Sequence, residues 1–292
     1  MIYSIRLTIA HQYNQPAANS RHLIRVLPLT LAGRQTLTTH LLDVFPEPDS
    51  RSDGVDFFGN RTTYCAHKDQ HASMSIRLNC HVDVTPPQPW KDVSPDIEKL
   101  RADYGGLTDL GQNSPLHLLG PTARLSPDKA VFAFAQDVFA TDESTASNVI
   151  RIGKALHDAM TFDATATTVD TDASEAFRLK RGVCQDFSHI MIIALQSLGI
   201  PAGYVSGYLR TLPPKGGVKL EGADAMHAWV RAWCGPDQGW LEYDPTNATL
   251  VGADHIVAAY GRDYSDVSPV RGHLRSSGGQ SNTHGVDVAI VA

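Results

Sequence analysis

The period of the apolar residues lengthens part-way along this chain of 292 residues, and that change constrains the fold more than any single motif. From Met1 to about Asp83 the chain reads as short alternating segments between turn residues: "MIYSIRLTIAHQY", "SRHLIRVLPL", "TLTTHLLDVFP", "RTTYCAHKD" and "HASMSIRLNCHVDV". A period of two with frequent turns predicts strands of an antiparallel β-sandwich. After Pro121 the period lengthens to three or four, as in "ESTASNVIRIGKALHDAMTF", where Val149, Ile152, Leu156 and Met160 line one helix face. Between the two lies "TPPQPWKDVSPD", whose X-Pro units favour extended chain. The expected division is therefore a β-sandwich over 1–120 and an α+β domain over 121–292. In the second part Ser126 is the expected N-cap and Pro127 the first residue of a helix. Further helices then give way to a small antiparallel sheet of "AGYVSGYL", "MHAWVRAWC" and "GWLEYDPT". "GGVKLEGADA" reads as a glycine-rich loop near these strands, and "RSSGGQSNTHG", from Arg275 to Gly285, as a mobile loop before a last strand, "VDVAIVA".

Composition excludes several classes. A formal net charge of -6 with no basic block argues against a nucleic-acid or anionic-membrane surface. No stretch approaches the roughly 18 apolar residues of a membrane span, and Arg6 interrupts the first apolar run where a signal peptide would be continuous. The four cysteines, Cys65, Cys80, Cys184 and Cys234, form no CxxC pair. That usage fits reduced thiols, so the expectation is a cytoplasmic protein.

Chemistry concentrates around "RLKRGVCQDFSHIMIIALQSLGIPA". Gly182 allows a backbone turn that a β-carbon would hinder, and the residues from Cys184 to Leu198 suit a helix with Phe187, Met191, Ala194 and Leu198 on one face. Cys184 then falls in the first turn, where unpaired N–H groups and the helix dipole favour a thiolate. Its own N–H is a ready oxyanion donor. Position alone does not separate a nucleophile from a buried, inert cysteine. The second signal is "MHAWVRAWCGPDQGWLEYDPT", with His227 and Asp244 on neighbouring strands. If the intervening turn uses the four residues from Gly235 to Gln238, His227 lies opposite Thr246 and Asp244 is its diagonal neighbour on the same face. A five-residue turn would separate them unless a bulge intervened. Taken singly, His227 could satisfy a strand hydrogen bond and Asp244 could start the turn "DPT". With Cys184 they give the order nucleophile, base, orienting carboxylate.

These residues resemble the transglutaminase-like superfamily, whose papain-like core carries Cys, His and Asp in this order. The match runs through "RGVCQDFSHIMIIALQSLGIPAGYVSGYL", "MHAWVRAW" and "GWLEYDPTN". "HQYNQPAANSRHLIRVLP", "DVFPEPDSRSDGVDFFGN" and "GRDYSDVSPVRG" are similar to segments of bacterial members with a β-rich N-terminal region. The resemblance implies a β-sandwich followed by a cysteine-protease-like α+β domain, with Cys184 as nucleophile, His227 as base and acid, and Asp244 as orienter. It implies acyl chemistry through a thioester, by hydrolysis of a peptide or amide or by transfer from glutamine to an amine. Animal transglutaminases supply an upstream tryptophan as oxyanion donor, whereas no Trp occurs here between Trp90 and Cys184. The second donor is thus unassigned, with Gln185 a candidate through its backbone or amide and otherwise a plain helix residue. No calcium loop of the D-x-[DN]-x-[DN]-G type is present.

Other signals carry less. Cys65, His67, His71, Cys80 and His81 gather on two strands, but their spacing matches no common zinc signature, and Cys80 and His81 should face opposite sides of one strand. Trp229 and Trp233 flank Arg231 with period two and fit either a substrate wall beside His227 or ordinary sheet packing; Trp229 shares a face with His227 and is the better candidate for lining a cleft. Asp186 reads as a first-turn acid that stabilises the helix. Arg262, Asp263 and Asp266 could bind a substrate carboxylate or form a structural ion pair. The expected function is a cysteine-dependent amide hydrolase without metal or cofactor, acting on a peptide or protein, with a transglutaminase or a non-catalytic binding scaffold as alternatives.

Overall fold

In chain order the strands and helices of the computed structural model, which describes residues 1–211 and 226–291, begin with five strands. These are β1 (Ile2–Ile24), β2 (Gln35–Phe45), β3 (Ser50–Val55), β4 (Arg61–His67) and β5 (His71–Val84). Helices α1 (Ile97–Gly105), α2 (Lys129–Val138) and α3 (Thr145–Ala159) follow, then β6 (Thr161–Phe162), α4 (Ala173–Leu179), β7 (Arg181–Gly182) and α5 (Cys184–Ser197). The chain continues through β8 (Ala202–Leu209), β9 (Met226–Trp233), β10 (Trp240–Asp244), β11 (Thr249–Leu250) and β12 (His255–Gly261). It ends with α6 (Tyr264–Val267), β13 (Val270–Arg275) and β14 (Gln280–Ile290). The segment "GGVKLEGADA" lies outside the described residues.

Alternation makes β1: Tyr3, Ile5, Leu7 and Ile9 point inward and bury the face that the period of two marks. Where the sequence suggests two strands there is one of 23 residues, with register breaks between Gln12 and Ala17 and between Ala18 and Arg21. Asn19 lies there with φ 49°, in the left-handed region that Asn tolerates. Extra residues of this kind bend and twist a strand. The first part of β1 accordingly pairs with β5 and β14, the last part with β4 and β13, and the seven-stranded antiparallel sheet curls about this one strand.

Several expectations are corrected here. β13 and β14 return to β1, so the sheet of the N-terminal region takes two of its strands from the C-terminal end of the chain. Most of "RSSGGQSNTHG" is strand, since Gln280 already pairs with Tyr13. Helix α2 starts at Lys129 under an Asp128 cap that accepts from the N–H groups of Ala130 and Val131, which moves the start past Ser126 and Pro127. Helix α1 follows the proline connector, capped by Asp96.

The second sheet is antiparallel, in the order β11-β10-β9-β8-β12. Helix α5 lies on it, enclosed by α2, α3 and α4 as well as by β8 and β9. Every residue from Gln185 to Leu195 is buried, so the helix is the axis of the core rather than a helix with one apolar face. The two sheets are joined tightly. Tyr208, Ile256 and Ala258 of the second sheet share a hydrophobic cluster with Tyr3, Ile5 and Leu78 of the first. The Gln35 amide donates to the carbonyls of Leu29 and Val257 at 2.7 and 2.9 Å and accepts from the Val257 N–H at 2.9 Å. The expected strand argument about Cys80 and His81 is met: Cys80 is in the core, while His81 is exposed beside Thr39.

Helix α3 packs closely on β10 at Gly153, where a Cβ would come within 2.3 Å of the Tyr243 ring and 3.0 Å of the Met191 methyl. Tyr243 and Met191 are themselves buried, so neither has free space to move into. Gly153→Ala should overpack this contact and lower the unfolding free energy by about 1–3 kcal/mol, measured by urea denaturation. An unchanged midpoint would show that the helix can shift away from Tyr243 at no cost.

Candidate active site

The start of α5 is built from local constraints. Asp186, at the third position of the helix, turns back so that its Oδ2 accepts the Val183 N–H at 2.8 Å and the Thr167 hydroxyl at 2.7 Å. Gly182 is required by space, because a Cβ there would lie 2.5 Å from Asp186 Oδ2. Burial raises the Asp186 carboxyl against the lowering effect of these two bonds. β7 pairs with β6, fixing the approach to Cys184 from the preceding side. Cys184 is half-buried at the first helical position, and among the described residues its backbone N–H takes no carbonyl.

The β9–β10 register is the one that a four-residue turn dictates. Trp233 pairs with Trp240 and Val230 with Tyr243, while Cys234 N–H donates to the Gly239 carbonyl at 2.9 Å. His227 and Asp244 are then diagonal neighbours, and His227 Nε2 lies 2.7 Å from Asp244 Oδ2. The bond occupies Nε2 and leaves Nδ1 as the free ring nitrogen.

Asp244 also starts the turn. Its Oδ1 accepts the N–H groups of Thr246 at 2.9 Å and Asn247 at 3.2 Å, and the Asn247 side chain donates to Oδ2 at 2.7 Å. The two single-residue readings of Asp244, turn former and histidine partner, are thus both true of different oxygens of one carboxylate. A residue the sequence reading missed completes the set. His255 Nε2 lies 3.1 Å from Asp244 Oδ2, and its Nδ1 accepts the Gly252 N–H at 3.4 Å. Acceptance at Nδ1 places the proton of a neutral ring on Nε2, so His255 donates to the carboxylate. His255 is a lone histidine at a strand start, and only the two-fold hydrogen-bonding of Asp244 gives it meaning.

Electrostatics follow from this geometry. Burial would raise the Asp244 carboxyl, but the hydrogen bonds from His227 and His255 outweigh it and hold the group well below the usual carboxylate range. For His227, burial would depress the imidazolium; the Asp244 bond and the neighbouring Cys184 side chain overcome this and push it up to about 10. His227, Asp244 and His255 also bring three potential ligand atoms within 4.8 Å of one another. Both Nε2 atoms, however, address the same carboxylate oxygen at hydrogen-bond distance, the arrangement of two donors on one acceptor rather than of ligands turned toward a common ion.

Cys184 and His227 open on a cleft of about 410 Å³. One wall comes from the core, with Gln185, Tyr204 and Tyr264; the other comes from the curled sheet, with Leu7 and Ile9 of β1 and His284 of β14. Sequence reasoning did not anticipate that second wall. Gln185 lines the cleft, but its side-chain amide donates to the Val169 carbonyl at 3.0 Å. Trp229 is corrected: it is fully buried among Leu29, Val205 and Val257, with its indole N–H on Glu242 at 2.7 Å. Its strand face is shared with His227, but away from the strand start that face is covered. Of the two readings of Arg262, the structural ion pair is the one found, and the substrate-binding reading is corrected. It forms an ion pair with Asp266 at 2.8 Å and lines a separate surface pocket that does not include Cys184.

Residues 133–245 match the transglutaminase-like superfamily, and residues 3–83 match the bacterial transglutaminase-like N-terminal region. An uncharacterized protein of Mycobacterium tuberculosis is 34% identical over 263 residues, spanning 88% of this chain and 82% of its own length. This chain belongs to the transglutaminase-like superfamily. An uncharacterized protein of Mycobacterium leprae is 28% identical over 91% of this chain and 92% of its own. The crystal structure of a protein from Cytophaga hutchinsonii, proposed to be a cysteine protease, has the same fold: TM-score 0.77, 22% identity, and coverage of 100% of this chain and 91% of that one. A protein-glutamine gamma-glutamyltransferase of Pseudomonas aeruginosa is 38% identical over 89 residues, 30% of this chain and 13% of its own. The match to the transferase is thus confined to part of the chain, and the likeness to the Cytophaga hutchinsonii protein is one of fold.

The His227 shift makes stability depend on pH. The unfolded imidazole has the ordinary value of 6.5, so between there and about 10 the folded chain holds a proton that the unfolded chain has released. This contribution is complete below pH 6.5 and is lost as the pH rises through 10. The Asp244 contribution has the opposite sign, present above the ordinary carboxyl value of 3.8 and lost as the pH falls below it. The unfolding free energy should therefore decline across the alkaline interval by up to about 1.4 kcal/mol per pH unit, read from denaturation curves, and His227→Gln should remove that part of the slope. Equal slopes in both proteins would mean that His227 is neutral in the folded state.

Proposed function

We propose that this chain is a cysteine-dependent amide hydrolase, acting on a peptide or protein through a thioester on Cys184. The observation that carries the reading is one cleft that contains a helix-start cysteine and a histidine whose ring is bound to a buried carboxylate. The Cys184 thiolate attacks the amide carbonyl carbon, a C–S bond forms, and the carbonyl electron pair moves onto oxygen. That oxyanion meets the Cys184 N–H at the helix start, which takes no carbonyl among the described residues. The tetrahedral centre collapses as the C–N bond breaks, and His227 gives its proton to the departing amine. In the second half a water molecule, deprotonated by His227, attacks the thioester and returns the thiol. Asp244 keeps the ring oriented and stabilises its cation throughout. The cysteine-protease assignment proposed for the Cytophaga hutchinsonii protein of the same fold is in keeping with this chemistry.

Transfer to an amine uses the same thioester, and the partial match to the Pseudomonas aeruginosa enzyme favours it as the second reading. Hydrolysis stands first because water needs no second binding site. The two are separated by mass analysis of glutamine-containing peptides incubated with the chain, with and without a primary amine. The hydrolase reading expects cleavage or deamidation that the amine leaves unchanged and that Cys184→Ala abolishes. Amine incorporation as the main product would overturn hydrolysis in favour of transfer, and products that persist in Cys184→Ala would remove the thioester altogether.

A further inference from the structure

An acyl-transfer site normally offers its oxyanion more than one donor, and the helix start provides only one clear candidate. Gln185 has committed its side-chain amide to the Val169 carbonyl. Tyr204, on β8, lines the same cleft as Cys184. Its ring is held from two sides, 5.1 Å from the His189 ring and 6.3 Å from the Tyr264 ring. His189 is itself anchored on α5 and accepts the Tyr264 N–H at 3.2 Å, which ties both tyrosines to the cysteine helix. The side chain is 2% exposed and belongs to a residue that lines the cleft, yet its hydroxyl makes no hydrogen bond among the described residues. Buried tyrosines ordinarily find a partner for the O–H. A rigid ring with an unpartnered hydroxyl, on a residue that shares the nucleophile's cleft, is the arrangement expected where the partner is a substrate atom.

We propose that the Tyr204 hydroxyl is the second oxyanion donor of this site, acting with the Cys184 backbone N–H on the tetrahedral centre. The assignment rests on the thioester reading above. As Cys184 Sγ bonds to the carbonyl carbon, the C=O electron pair becomes an alkoxide, and Tyr204 donates its O–H to that oxygen without transferring the proton. When the alkoxide collapses to a thioester, the leaving group takes the broken bond's electrons and the hydroxyl is free again. Burial first, and then the negative charges of Cys184, Tyr264 and Asp186, raise the Tyr204 hydroxyl far above the ordinary phenol range, so it remains a donor at working pH.

Two reagents isolate this role without a known substrate. Acylation of Cys184 by p-nitrophenyl acetate passes through an oxyanion and releases p-nitrophenolate; alkylation by iodoacetamide displaces iodide and forms none. Both rates are measured on the full chain, on Tyr204→Phe and on Tyr264→Phe, with peptide mass mapping to confirm the modified cysteine. Tyr204→Phe should slow acylation by about 10²-fold, the usual effect of losing one oxyanion donor, and leave alkylation unchanged. Unchanged acylation overturns the proposal, and so does a parallel fall in both rates, which would make Tyr204 a positioning residue for the thiol. A loss confined to Tyr264→Phe overturns it in favour of the neighbouring ring. A native Cys184 inert to both reagents would refute the thioester reading itself, and the donor assignment with it.

Discussion

A carboxylate with no exposure to water must be compensated where it lies, and Asp244 is such a group. Left alone, a buried charge costs several kcal/mol, more than most single contacts return. Asp244 meets five hydrogen bonds, from the Thr246 and Asn247 backbone, the Asn247 side chain and two imidazoles. These bonds shape the turn after β10, fix the His227 ring and draw the start of β12 to the same point through His255. The His227 cation that balances Asp244 is in turn next to Cys184. The order of causes runs from the buried carboxylate to the imidazole and only then to the thiol.

The curled sheet has a part in the same site. β1 is long enough to belong to both halves of that sheet, and its early residues Leu7 and Ile9 face the cleft. The sheet is held to the core by Gln35 bridging Leu29 and Val257 and by the Tyr208 hydroxyl on the Val26 carbonyl at 2.6 Å. Arg34 reaches across to the buried Glu242, which also receives the Trp229 indole. The N-terminal region is therefore part of the cleft's shape rather than an appendage.

What could be read from the sequence was local. The Gly235–Gln238 turn determines the β9–β10 register, and that register brings His227 to Asp244. The alternation of β1 and the three-to-four spacing in α3 mark their buried faces directly. What could not be read depends on partners remote in sequence. β3 is exposed along its length and carries no alternation, so only its pairing with β4 makes it a strand. β13 and β14 find their place on a strand more than 240 residues earlier. Trp229 shares the His227 face as the period of two requires, but Leu29 and Val257 cover it. His255 carries no sequence signal at all, since its role is defined by an oxygen 11 positions away in the chain.

The central claim is that Cys184 and His227 act as one chemical unit. It is tested most directly by the rate of Cys184 alkylation by iodoacetamide as a function of pH, in the native chain and in His227→Ala. The account predicts rapid alkylation at mildly acidic pH, where an ordinary thiol with a pKa of roughly 8.5 is almost entirely protonated, and loss of that acidic reactivity in His227→Ala. A cysteine that reacts only in alkaline solution, with the same profile in both proteins, would contradict it.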